Sequence, residues 1–182
     1  MKDEKDTKKR NTFFFLCKRK WRIKGTTIIA TKNDDYIDAT RTTTDKMTFE
    51  LGAGNDTFRG GNQDNIIYTS RQVEGSDDYT TYNNTVYSGS GSDTVIGSSG
   101  NDTFIVAQSD TLSSNGNDSF NGVSGINTID YSQILDSDGK EETGGLNVTL
   151  NGSNTVNITL SGGNTNTIQN VSHIIGTENS DT

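Results

Sequence analysis

The sequence predicts an all-β chain wound as a parallel solenoid of short repeats, and three observations carry that expectation: too few apolar residues for an ordinary core, a nine-residue repeat, and an apolar residue at one fixed column of it. Only 28% of the 182 residues are hydrophobic and none is proline. A chain this polar cannot fold by apolar burial in the usual way, so repetition and a bound partner must supply the rest.

From the N-terminus, residues 1–24 carry ten Lys and Arg against Asp3, Glu4 and Asp6, a basic head expected to be disordered. The run Phe13-Phe14-Phe15-Leu16-Cys17 is too short for a signal-peptide core or a membrane span. Cys17 is the only cysteine, so no internal disulfide framework forms. A basic head of this kind can meet anionic lipid or nucleic acid, although a charge run is more often simply solvated. From Gly25 onward acidic residues outnumber basic ones, which argues against nucleic acid as the partner of the body and for cations.

The repeat occupies 25–130. LGAGNDTFR at 51–59 runs into GGNQDNIIY at 60–68, SGSGSDTVI at 88–96 into GSSGNDTFI at 97–105, and SSNGNDSFN at 113–121 into GVSGINTID at 122–130. Column eight is always apolar: Phe58, Ile67, Val95, Phe104, Phe120 and Ile129. Column six holds Asp56, Asn65, Asp93, Asp102, Asp118 and Asn127. Glycines at column four (Gly54, Gly91, Gly100, Gly116, Gly125) and column two (Gly52, Gly61, Gly89) permit the positive φ of tight turns. Columns one to six therefore predict a turn, and columns seven to nine a three-residue strand with one inward side chain. Such strands are stable only when successive windings stack.

These units resemble the Gly-Gly-x-Gly-x-Asp-x-U-x nonapeptides of RTX (repeats-in-toxin, haemolysin-type calcium-binding) proteins. Weaker echoes stand in ATKNDDYID at 30–38 and in GTENSDT at 176–182, and the latter stops mid-unit, as a fragment of a longer array would. The resemblance implies a parallel β-roll that binds Ca2+. Its ligand set falls on Gly52, Gly54, Asp56, Gly89, Gly91, Asp93, Gly100, Asp102, Gly116 and Asp118. It further implies that turns on one side of the roll pair, Asp102 with Asp118 and Asp93 with Asp110. Units bearing Asn65 or Asn127 should bind weakly or not at all.

Two interruptions break the array. That at 69–87 is close in length to one winding and reads as a degenerate coil containing Asp77 and Asp78; the other covers 106–112. Residues 131–182 read as an irregular β-solenoid coil, because Leu146, Val148 and Leu150, then Val156, Ile158 and Leu160, alternate as half-buried strands do.

The chemistry follows from charge. Calcium takes six to eight oxygens, which Gly-rich turns supply as carbonyls and column six as carboxylates. Without it, carboxylates stacked about 5 Å apart repel by roughly 0.8 kcal/mol in water and about 3 at an effective dielectric of 20. A single Gly-Asn-Asp cluster is most often an ordinary turn; tandem phasing with an apolar eighth column is what points to metal. His173 is the only histidine and no HExxH or phosphate loop occurs, so an enzyme is not expected. The sequence therefore reads as a calcium-folding segment of a secreted bacterial toxin, adhesin or hydrolase. By resemblance it would leave the cell by type I secretion, with an effector domain or a host cell surface as possible further partners. The alternative is a calcium-independent adhesive or structural β-solenoid, for which 146–168 is the clue.

Overall fold

The computed structural model describes residues 11–14, 27–42, 46–70, 81–106, 116–134, 145–150, 155–160 and 163–182. All of its regular structure is strand: β1 (Asn11–Phe14), β2 (Thr27–Ile29), β3 (Asp35–Asp38), β4 (Thr48–Glu50), β5 (Thr57–Arg59), β6 (Ile66–Tyr68), β7 (Thr85–Tyr87), β8 (Thr94–Ile96), β9 (Thr103–Ile105), β10 (Ser119–Asn121), β11 (Thr128–Asp130), β12 (Asn147–Leu150), β13 (Thr155–Thr159), β14 (Thr165–Gln169) and β15 (His173–Ile175). Columns seven to nine of all six clear units are β5, β6, β8, β9, β10 and β11, as the repeat predicts.

From β1 to β12 successive strands alternate between two sheets. The first sheet runs β1-β3-β5-β7-β9-β11-β15, parallel throughout. The second runs β12-β13-β14-β10-β8-β6-β4-β2, parallel from β14 to β2. The chain is thus a parallel β-roll. Part of the basic head, Asn11–Phe14, joins it as β1; Cys17 lies outside the described residues.

One inward side chain per strand builds the core. The column-eight residues Phe58, Ile67, Val95, Phe104, Phe120 and Ile129 are all fully buried, joined by Ile37, Phe49, Val86 and Ile168 from the less regular windings. Aromatic contacts bridge the sheets, with ring centroids 4.7 Å apart for Phe49 and Phe58 and 5.6 Å for Phe104 and Phe120. Interplanar angles of 56° and 31° set these rings in tilted contact.

Between β6 and β8 the chain contributes the single strand β7, so 69–87 supplies half a winding among the described residues rather than the full coil its length suggested; Asp77 and Asp78 lie outside them. The 106–112 spacer likewise joins β9 of the first sheet to β10 of the second. After β11 the roll opens into an antiparallel meander, β12-β13-β14, before β14 returns to parallel pairing with β10 and β15 with β11. Leu146, Ile158, Leu160 and Ile168 are buried there, in line with the alternation.

Candidate metal centre

Column six is the inner wall of the turns. Asp35, Asp56, Asn65, Asn84, Asp93, Asp102, Asp118, Asn127 and Asn166 are all buried. A buried carboxylate requires donors or a cation. Each of these side chains from Asp56 onward accepts the backbone N–H of the equivalent position one winding earlier. Along the first sheet, Asp35 donates to Asp56 Oδ1 (2.8 Å), Asp56 to Asn84 Oδ1 (2.9 Å), Asn84 to Asp102 Oδ1 (2.9 Å) and Asp102 to Asn127 Oδ1 (2.9 Å). Along the second, Asn65 donates to Asp93 Oδ1 (2.7 Å), Asp93 to Asp118 Oδ1 (2.8 Å) and Asp118 to Asn166 Oδ1 (2.8 Å).

Column five forms a second, outer ladder that runs the opposite way. Here the later winding donates: Asn55 N–H to Asp34 Oδ1, Asn83 to Asn55 Oδ1, Asn101 to Asn83 Oδ1 and Ile126 to Asn101 Oδ1. The other sheet repeats it, from Ser92 to Asp64 Oδ1, Asn117 to Ser92 Oγ and Thr165 to Asn117 Oδ1. Sequence reasoning missed this ladder, and with it the units built on Asn84 and Asn166. The signal was the tetrad before each strand: Asn83-Asn84-Thr85-Val86 and Thr165-Asn166-Thr167-Ile168 repeat Asn101-Asp102-Thr103-Phe104 in type.

The expected pairing of Asp102 with Asp118 is incorrect. Asp118 follows the second sheet and stacks on Asp93, whereas Asp102 follows the first and stacks between Asn84 and Asn127. The strand that follows Asp102, β9, belongs to the first sheet and the strand that follows Asp118, β10, to the second, so the two residues line opposite sheets. Asp110, the expected partner of Asp93, lies outside the described residues.

Gly52, Gly54, Gly89 and Gly91 take positive φ, from 88° to 123°. Gly100 and Gly116 do not. Their requirement is close approach, since a Cβ on Gly100 would strike Tyr82 O and one on Gly116 would strike Gly91 O. The turns thus stack backbone on backbone, with carbonyls facing the next winding.

Electrostatics single out three carboxylates. Burial pushes Asp56 up to about 7, with Asp35 and Asp34 adding repulsion against the relief of the Asp35 N–H. Burial, then the charge of Asp118, pushes Asp93 up to about 9. Asp118 rises to about 7, again chiefly by burial. The second oxygens of Asp56 and Asp93 are buried with no hydrogen-bond partner, as are Ser88 Oγ and Ser90 Oγ from the same unit as Asp93. A buried carboxylate oxygen without a donor favours a cation beside it. Among the described residues no three His, Cys, Asp or Glu side chains converge, so a cation held here takes most of its oxygens from backbone carbonyls. That donor set, carbonyls with one or two carboxylates, suits calcium.

Fold and turns together define a repeat solenoid with cation-seeking turns. Residues 48–72 and 78–106 match the RTX calcium-binding nonapeptide repeat in four copies. Those two stretches are therefore repeats of the RTX type, a family described as calcium-binding. The units at 113–130 continue the same ladders beyond the matched residues. No curated protein and no solved structure matches the chain.

Proposed function

We propose that this chain is a calcium-responsive folding module of a secreted bacterial protein, compact when calcium is bound and expanded without it. The observation that carries this reading is the orphaned, buried Oδ2 of Asp56 and of Asp93. Bound calcium supplies the positive charge those oxygens lack. Gly52, Gly54 and Asp56 serve one turn; Gly89, Gly91 and Asp93, stacked under Gly116 and Asp118, serve another. Secretion by the type I route, and attachment to a toxin, adhesin or hydrolase effector, rest on the resemblance to RTX proteins. Low cytosolic calcium would keep the chain expanded for export, and extracellular modules of this kind bind at about 10⁻⁴–10⁻³ M.

Small-angle scattering across a calcium titration tests the proposal. The expected result is a chain expanded in chelator that compacts cooperatively in millimolar calcium and not in magnesium. Equal compactness in chelator would favour the second reading, a calcium-independent structural β-solenoid. That reading draws support from the ladders and from the meander β12-β13-β14, which pair winding to winding and strand to strand through protein groups alone.

A further inference from the structure

Four column-six aspartates, Asp35, Asp56, Asp93 and Asp102, fall into two kinds, and the residue at column two separates them. In the turn at 97–105, Ser98 N–H donates to Asp102 Oδ2 (2.8 Å) and the Ser98 hydroxyl lies 3.1 Å from that oxygen and 3.1 Å from Tyr82 O, with Thr69 Oγ1 3.4 Å from the same Oδ2, while Asn84 N–H (2.9 Å) and Asn84 Nδ2 (3.0 Å) serve Oδ1. In the turn at 30–38, Thr31 does the same, its N–H 2.6 Å and its hydroxyl 2.8 Å from Asp35 Oδ2. The same hydroxyl then accepts the N–H two residues on, from Gly100 at Ser98 and from Asn33 at Thr31, which fixes the turn. Both carboxylates are buried, at 1% and 3% exposure, yet neither has an orphan oxygen.

The turns at 51–59 and 88–96 have glycine at column two. Gly52 and Gly89 take φ of 92° and 88°, a region that Ser98 and Thr31 avoid. They carry no hydroxyl, and Oδ2 of Asp56 and of Asp93, each 1% exposed, is left with no donor. A third arrangement occurs at Asn127, whose Nδ2 lies within hydrogen-bond distance of three backbone carbonyls that share its two hydrogens, Gly122 O (3.1 Å), Ser124 O (2.9 Å) and Asn170 O (2.9 Å). An amide nitrogen surrounded by turn carbonyls occupies the place a cation would take.

We infer that column two decides whether a turn takes calcium: glycine at 52 and 89 leaves the column-six carboxylate to a cation, whereas Thr31 and Ser98 replace the cation with a hydroxyl and an amide. The inference rests on the calcium reading of the Asp56 and Asp93 turns and deepens it. The turns of Asp35 and Asp102, which have the aspartate of a calcium unit, are then closed without metal. They act as fixed points in the roll, and the calcium-dependent turns fold between and beside them.

Counting calcium ions bound to the full chain by equilibrium dialysis tests this. Ser98→Gly and, separately, Thr31→Gly should each gain one ion per chain relative to the unsubstituted protein and make compaction more calcium-dependent. Asp93→Asn should lose one ion, because the Asn side chain keeps the ladder bond to Asn65 N–H as the natural Asn residues do. If Asp93→Asn loses an ion while both glycine variants, folded by circular dichroism, bind the same number as the parent, the column-two rule is overturned and the calcium reading stands. If the parent binds no calcium, both fall.

Discussion

A carboxylate buried without a cation keeps its proton, and the sign of that effect sets the pH behaviour of the metal-free chain. Asp in an unfolded chain titrates near 3.9, whereas Asp56 and Asp118 are pushed up to about 7 and Asp93 to about 9. Between these values the folded state holds more protons than the unfolded one. Its stability is therefore fully present below about pH 4 and is lost as pH rises through about 7 to 9. Without calcium, circular dichroism should show the chain gaining β structure on acidification toward pH 4. At pH 7, calcium binding should expel protons, read as a dependence of calorimetric heat on the ionisation enthalpy of the buffer. A binding heat that is the same in every buffer would mean that these aspartates are already charged in the metal-free state.

At the scale of the element, a three-residue strand survives because its one inward side chain is shared across the roll. Phe104 is fully buried and touches Phe120 from the other sheet. Phe104→Ala should cost about 3–5 kcal/mol, and Phe104→Leu less than about 1.5, measured as the shift in urea midpoint at saturating calcium. Equal midpoints for both variants and the parent would place column eight outside the core. The strands were legible in the sequence because column eight is apolar in every clear unit and the turn glycines fix the phase. The units of Asn84 and Asn166 were not, since Tyr82 and Asn164 stand where column four has glycine and Asn replaces the aspartate. The outer ladder was illegible for another reason: exposed Asn, Asp and Ser in turns are expected on conformational grounds alone. Pairing failed at Asp102 because linear spacing does not say to which of the two sheets the chain returns after the spacer.

Across the whole molecule, windings differ in length while the register holds. Column-six partners lie 18 residues apart at Asn84 and Asp102, 25 at Asp102 and Asn127, 28 at Asp56 and Asn84, and 48 at Asp118 and Asn166. Stability in such an array is a sum over neighbours, so opening should be graded from the ends. Hydrogen exchange in calcium should find the amides of Asn84, Asp93 and Asp102 among the slowest. Those of β15, whose residues are all exposed, should be among the fastest. Uniform exchange across these amides would indicate a single cooperative unit instead.

The ladders join a side chain on one winding to a main-chain amide on the next, and every residue except proline offers that amide. In this bond a unit thus makes no demand on the side chains of the unit it sits on. Copies can be duplicated, shuffled or worn down to Asn-bearing forms one at a time, with no compensating change next door. An array built this way can lengthen by slippage of its coding repeats and remain foldable at every intermediate length, in the manner of bricks that share a bond pattern but not a position.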